Sequence, residues 1–391
     1  MLNLKHQIRA EIKLDNLLTN VNRVKQLVGS GEIIAVVKAD GYGHGGVKVA
    51  EFLEHNGVNF FAVSCIREAL ELRNAGIESK ILILGYTDPE YAPVLADNNI
   101  SQAVFSAKYA NELSSNIAGK TLSVHIKLNT GMNRIGFDTN DSSHIDEIIS
   151  ALSEKGLFFE GIFTHFAAAD LSGDPNGEFT ELQFSRFNNT VSSLEKAGYK
   201  PLIRHAANSA ASVLNQNMHL DAVRLGIIMY GLTPSVGLAL PIELLPVMSL
   251  KCTVSMVHKI KKGEKVSYGL TFEAPQDMTL ATVTAGYADG YPRFLSNKGR
   301  VIIGGEYCPI VGKVCMDQTV VDVSHLKNVH SGDEVILFGE DGDKKITADE
   351  IAEIGNTINY EIVCSVSRRV ARIYYQNGKE IATTDYLLLE E

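Results

Sequence analysis

The sequence predicts an α/β chain in two parts: an N-terminal (β/α)8 barrel of the TIM type over residues 1–243, then a mainly-β domain over residues 244–391. Three observations predict it. At 391 residues the chain is longer than one hydrophobic core ordinarily supports. Between about residues 11 and 225, eight short apolar runs alternate with longer amphipathic stretches. After Pro241 and Pro246 this gives way to period-two patterning broken by frequent glycines.

The first run, Ile33-Ile34-Ala35-Val36-Val37, is too short for a helix and reads as a buried strand. Lys38 closes it, and Gly41-Tyr42-Gly43-His44-Gly45 forms a glycine-rich loop before the next amphipathic segment. The runs Asn59–Val63, Ile81–Leu84, Ser101–Phe105 and Leu122–Lys127 follow, then Glu160–Thr164, Pro201–His205 and Asp221–Arg224. Helical stretches separate them, such as Ala69–Gly76, which stops at a glycine as a C-capped helix does. Eight strand-helix units in some two hundred residues suit a closed barrel, whereas periodicity alone leaves an open doubly wound sheet as the alternative. Further on, Leu250, Cys252, Val254, Met256 and His258 alternate with polar or small residues, the mark of an antiparallel strand. One helical segment, Thr347–Gly355, interrupts the β pattern, with Thr347 and Glu350 at capping-box spacing.

Composition narrows the partners. The net charge of -10 and a pI near 5.6 argue against a nucleic-acid backbone or an anionic membrane. No apolar run is long enough to span a bilayer, and the first residues lack the apolar core of a signal peptide. Five cysteines at scattered spacing make neither a disulfide framework nor a zinc pattern, so no metal and a reduced, cytoplasmic protein are expected.

In such a barrel the site forms at the C-terminal ends of the strands. Lys38 closes the first strand, Arg134 lies just beyond the fifth, and His165 ends the sixth. Asn208-Ser209 follow the seventh, and Arg224-Leu225-Gly226 end the eighth. Each alone has a plain structural account: a surface arginine, a core histidine, a helix N-cap serine. Their gathering at one rim points to chemistry. A lysine at an apolar strand end is partly desolvated, which lowers its pKa and favours the neutral amine that attacks a carbonyl.

The same stretches carry a resemblance. Val37–Gly45, Thr130-Gly131-Met132-Asn133-Arg134-Ile135-Gly136-Phe137, His205–Ala210 and Val223–Gly231 are similar, in that order, to the signatures of the alanine racemase family. Val266-Ser267-Tyr268-Gly269, Gly286–Tyr291, Val314–Gln318 and Ile358–Glu361 extend the likeness to the second domain. Val370-Ala371-Arg372 departs from it, since the family usually has a proline between the valine and the arginine. The resemblance implies a homodimer with shared active sites, in which the C-terminal domain contributes to the second subunit's site. It also implies that the first ten or so residues pack with the C-terminal domain.

The cofactor it implies is pyridoxal 5'-phosphate, held covalently by Lys38. Tyr42, His165, Asn208, Ser209, Arg224, Tyr360 and the backbone at Gly226 and Ile227 would surround it. Lys38 and Tyr268 would be the two bases, one on each face of the substrate, with Tyr268 coming from the second subunit. Arg134 and Met316 would fix the substrate or the cofactor's edge, and Tyr287 would narrow the entrance in favour of a methyl side chain. Lys127 occupies a place that the family often carbamylates, which would convert a cation into an anion able to hold Arg134. The implied reaction is the interconversion of L-alanine and D-alanine, an isomerisation supplying D-alanine for peptidoglycan. Competing readings are a decarboxylase or a racemase for a larger amino acid, a non-catalytic cofactor carrier, and a metal-dependent hydrolase. Arg224 argues against the decarboxylase and Tyr268 against the carrier. The hydrolase lacks a convincing ligand set.

Overall fold

The computed structural model describes residues 6–171 and 173–388. Its first strand, β1 (Ile8–Lys13), precedes the barrel strands β2 (Glu32–Val36), β3 (Phe60–Val63), β4 (Lys80–Ile83) and β5 (Ile100–Val104). The series continues with β6 (Leu122–Asn129), a two-residue β7 (Phe137–Asp138) appended to it, β8 (Leu157–Phe163), β9 (Ile203–His205) and β10 (Ala222–Leu225). The parallel order is β5-β4-β3-β2-β10-β9-β8-β6, and pairing of β5 with β6 closes the ring. That single pairing decides the barrel against the open sheet. The strands form because they are β-rich runs buried almost without exception, as in β3 and β5. Pro201 and Leu202, expected in the seventh strand, lie before β9, since proline has no N–H to give a ladder. The helix Ile66–Asn74 ends as expected, with Gly76 at φ +89°.

This barrel unit comprises Leu18–Gly41 and Gly46–Leu244. Among the described residues, the second unit gathers the chain up to Leu17, the residues Tyr42–Gly45, and the chain from Leu245 on. Its long strand β11 (Met248–Ile260) pairs antiparallel with β1. The short hairpin β12 (Lys265–Val266) and β13 (Phe272–Glu273) comes next, then β14 (Met278–Val283), β15 (Arg300–Ile303) and β16 (Glu306–Pro309). The remainder are β17 (Thr319–Asp322), β18 (Glu334–Asp341), β19 (Lys344–Ile346), β20 (Ala371–Gln376) and β21 (Lys379–Thr384). The sheet is mixed rather than purely antiparallel: β1 also pairs parallel with β20. Of the first ten residues, expected to pack with the C-terminal domain, 1–5 lie outside the described residues.

Alternation along β11 holds through Val254, where a bulge shifts the register and leaves Met256 exposed. The helix Ala348–Gly355 begins with the Thr347 hydroxyl accepting from the Glu350 N–H at 3.0 Å. The reciprocal half of the capping box is replaced, because the Glu350 carboxylate accepts two bonds from Arg300 at 2.8 and 3.0 Å. Among the described residues no helix is long and apolar enough to cross a membrane.

Candidate active site

Lys38 stands, half-buried, two residues beyond the C-terminal end of β2. The chain then makes a left-handed turn, with Ala39, Asp40, Gly41 and Tyr42 at φ +52°, +54°, +60° and +53°. Such a conformation costs roughly 1–2 kcal/mol for each residue bearing a Cβ, so the surroundings must hold it. They do so with backbone partners. The Gly41 N–H donates to the Val37 carbonyl at 2.8 Å, and the Gly46 N–H to Asp40 Oδ1 at 2.8 Å. Glu68 accepts from the Ala39 N–H through one oxygen and from the Ser64 N–H through the other, both at 2.7 Å. One carboxylate thereby ties together the ends of two neighbouring strands.

Arg224, on β10, is buried, and burial pushes its pKa down to about 9, still cationic at neutral pH. Its Nη1 donates to His205 Nδ1 at 2.8 Å and to the His205 carbonyl at 3.0 Å. Its Nη2 donates to the carbonyls of Thr164 and Ala206 at 2.7 and 2.9 Å, and lies 3.2 Å from His165 Nδ1. These contacts use both terminal nitrogens. The Nε–H has no partner among the described residues. The His165 imidazole is held well below its ordinary value, by desolvation first and then by Arg224, Lys127, Arg134 and Lys38. Those four basic residues therefore reach one point at the barrel's C-terminal end.

Beside them, the Ser209 hydroxyl accepts from the Gly226 N–H at 2.9 Å and keeps its own proton to donate. The neighbouring Ile227 N–H, at the start of a 3-10 turn, has no partner among the described residues. Asn208 holds the local turn: its Oδ1 accepts from the Ala211 N–H, and its Nδ2 donates to the Phe166 carbonyl. Lys127 is buried, donating to the Leu128 carbonyl at 3.0 Å with its Nζ 5.1 Å from the Phe163 ring centre. Desolvation, then the charges of Arg224 and Arg134, push its amine well below the usual lysine range. Arg134 itself is exposed.

The remaining expected residues belong to the β unit. Tyr42 and Tyr360 stand 6.1 Å apart, ring to ring, and burial, then Tyr360 and Cys364, raise the Tyr42 phenol. Tyr268 lies in the loop between β12 and β13 and is 73% exposed. The Ser267 hydroxyl ties that loop to the Lys313 carbonyl at 2.8 Å. The Tyr287 and Ala288 N–H groups donate to the Cys315 and Met316 carbonyls, both at 3.0 Å. Tyr268, Tyr287 and Met316 thus ride on three loops bonded in series, all three side chains exposed.

Family models of the alanine racemase N-terminal and C-terminal domains match residues 12–234 and 247–374. The chain belongs to the alanine racemase family. It is 44% identical to alanine racemase 1 of Clostridium acetobutylicum over 381 residues, 97% of this chain and 98% of that protein. The solved alanine racemase of Clostridium difficile 630 superimposes with a TM-score of 0.93 at 39% identity, covering 99% and 100% of the two chains. A histidine racemase from Leuconostoc mesenteroides subsp. sake also has this fold, with a TM-score of 0.87 at 32% identity over 95% and 98%. The family makes the chain a racemase, an isomerase, and accounts for a barrel followed by a β domain.

Four polar residues at the racemase barrel were not singled out from sequence: Glu68, His125, Glu160 and His205. The signal for three of them was present. His125, Glu160 and His205 sit inside apolar strand runs, where an ionisable residue is rare unless paired. Glu68, on the polar side of an ordinary helix, carries no such mark.

Proposed function

We propose that the protein is an alanine racemase that interconverts L-alanine and D-alanine with pyridoxal 5'-phosphate. The observation that carries the reading is the state of Arg224, whose terminal nitrogens are engaged by barrel acceptors while its Nε–H is left over. The chain's residues fit the cofactor. Lys38 would hold it covalently, the Ser209 hydroxyl, the Gly226-Ile227 backbone, Tyr42 and Tyr360 would take its phosphate, and Arg224 Nε–H would meet its ring nitrogen. When bound, that cofactor supplies a conjugated ring that stabilises negative charge at the substrate's α-carbon. Arg224, a donor only, bonds only an unprotonated ring nitrogen. A carboxylate in its place would favour a protonated ring, the stronger electron sink that suits a decarboxylase or transaminase.

Lys38 Nζ and Tyr268 Oη move the α-proton, one on each face of the substrate. Tyr268 accepts a proton as its phenolate, a form that nearby cations or hydrogen-bond donors favour. Arg134 and Met316 orient the substrate, and Tyr287 limits its side chain. Tyr268 acts on the second subunit of a homodimer, which is consistent with its exposure beside Leu270, Tyr287 and Met316, an apolar group that a partner would cover. The role is the supply of D-alanine for peptidoglycan in the cytoplasm, with no nucleic acid or membrane as partner.

Incubating the protein and cofactor with pure L-alanine should bring D-alanine to an equal share by chiral chromatography. No inversion would remove the reading. A second reading, a larger substrate, is favoured by the likeness to a histidine racemase. Higher kcat/KM on histidine than on alanine would select it.

A further inference from the structure

A chain of hydrogen bonds runs from Arg224 through the barrel interior toward the N-terminal ends of the strands. Arg224 Nη1 lies 2.8 Å from His205 Nδ1, His205 Nε2 lies 2.9 Å from His125 Nδ1, and His125 Nε2 lies 3.1 Å from Glu160 Oε2. The same carboxylate accepts from the Ser101 hydroxyl at 2.5 Å, and Lys80 stands 3.9 Å from its other oxygen. Both imidazoles are wholly buried.

The direction of every bond is forced. A guanidinium can only donate, so His205 Nδ1 accepts and its proton sits on Nε2. That proton is given to His125 Nδ1, which places the His125 proton on Nε2, and an ionised carboxylate can only accept it. Desolvation pushes the Glu160 carboxyl upward, but the bonds from His125 and Ser101 and the charge of Lys80 outweigh it and bring it down to about 2. Desolvation, chief among the causes, holds both histidines below their ordinary value, hence neutral. The chain is therefore cation, neutral ring, neutral ring, anion. Gly161 makes room for it, since a Cβ there would lie 2.3 Å from His125 Nδ1.

We propose that Glu160 is a positioning residue for Arg224, acting through His125 and His205. By fixing both tautomers it keeps a lone pair facing Nη1, which holds the guanidinium in the pose that leaves Nε–H for the cofactor's ring nitrogen. This rests on the reading of Arg224 as the ring's partner. Glu160→Gln leaves the end of the chain undirected: its amide offers His125 Nε2 either an oxygen or an N–H, and in the second case both imidazoles take the Nδ1–H form and His205 presents a donor to a donor.

Histidine side-chain 15N shifts, recorded with and without pyridoxal 5'-phosphate, should show both wild-type rings as Nε2–H. A wild-type ring in the Nδ1–H form overturns the proposal without any variant. E160Q should give both rings an Nδ1–H population that the wild type lacks, move the absorbance maximum of the bound cofactor and lower kcat by about 10- to 100-fold, the scale on which loss of the partner behind a liganding histidine acts. Glu160→Asp should recover part of the loss. Gly161→Ala, which displaces His125 and leaves Glu160, should reproduce the spectral change. Ser101→Ala should behave as wild type, because it removes a donor outside the chain. No Nδ1–H population in E160Q, or such a population with unchanged absorbance and kcat, would overturn the proposal, as would an S101A loss equal to that of E160Q. A wild-type protein that shows the tautomers and the spectral response but does not invert alanine would instead refute the substrate reading and leave this proposal standing.

Discussion

His125, His165, His205 and Lys127 are bases whose protonated forms burial has made costly. Their folded values lie below the ordinary ones, so on acidification the unfolded chain takes up protons that the folded chain refuses. For the histidines the stabilising effect is full above about 6.5 and is lost as pH falls through the folded values. Glu160 acts with the same sign lower down, its contribution present above 4.5 and lost as pH falls toward about 2. The urea midpoint of the cofactor-free protein should therefore fall steadily from pH 8 to pH 5; a rise would contradict this account. Lys127 adds a chemical prediction. Burial, then the charges of Arg224 and Arg134, favour the neutral amine of Lys127, the form that adds carbon dioxide, with a new N–C bond and release of one proton. The resulting carbamate would offset both cations. Activity lost on degassing at acidic pH should return with bicarbonate, and labelled bicarbonate should give a carbamate 13C signal that Lys127→Ala removes. A bicarbonate-independent enzyme without that signal would mean an ordinary lysine.

At the scale of elements, the left-handed turn after Lys38 is the segment whose conformation is least favoured by its own residues. Glu68→Ala leaves the Ala39 and Ser64 N–H groups without their acceptor. Covalent capture of pyridoxal 5'-phosphate by Lys38, followed by borohydride trapping, should slow several-fold, while the half-exposed site limits the stability loss to about 1 kcal/mol. Capture at the wild-type rate would show that the turn holds itself. The loop beyond it is bound differently. A Cβ on Gly43 would meet the Val363 carbonyl oxygen at 2.2 Å, and Arg372 Nε donates to the Gly43 carbonyl at 3.1 Å. Gly43→Ala should cost about 1–3 kcal/mol, since a backbone carbonyl cannot move aside as a side chain can. An unchanged melting temperature would count against that close approach.

For the whole molecule, the test concerns how many chains make one site. Lys38 belongs to the barrel unit and Tyr268 to the β unit. Two bases acting on opposite faces of one carbon need supports on both sides, and a second subunit would also exclude water from that carbon. Lys38→Ala and Tyr268→Phe homodimers should each be inactive in racemisation. Mixed under subunit exchange they should regain up to half a wild-type dimer's activity per heterodimer, because one of its two sites then has both residues intact. Confirmed heterodimers that stay inactive would place Tyr268 in its own chain's site, or outside the reaction.

Much of this was legible before the fold was known. The strand-end position of Lys38, the eight apolar runs and the turn to period-two patterning are local properties, written in spacings of two to four residues. Barrel closure was not legible, because pairing of β5 with β6 depends on strand tilt and stagger around the whole ring. Nor was the left-handed turn, whose Ala39 and Asp40 favour other conformations until Glu68 and Gly46 bond to them. The Glu160–His125–His205–Arg224 chain shows the division most clearly. Sequence singled out Arg224 at the rim, but marked Glu160, His125 and His205 only as ionisable residues in strands. Its successive links span 35, 80 and 19 residues. A period of two says which face of a strand a side chain takes, whereas only the closed barrel decides which inward-facing groups meet.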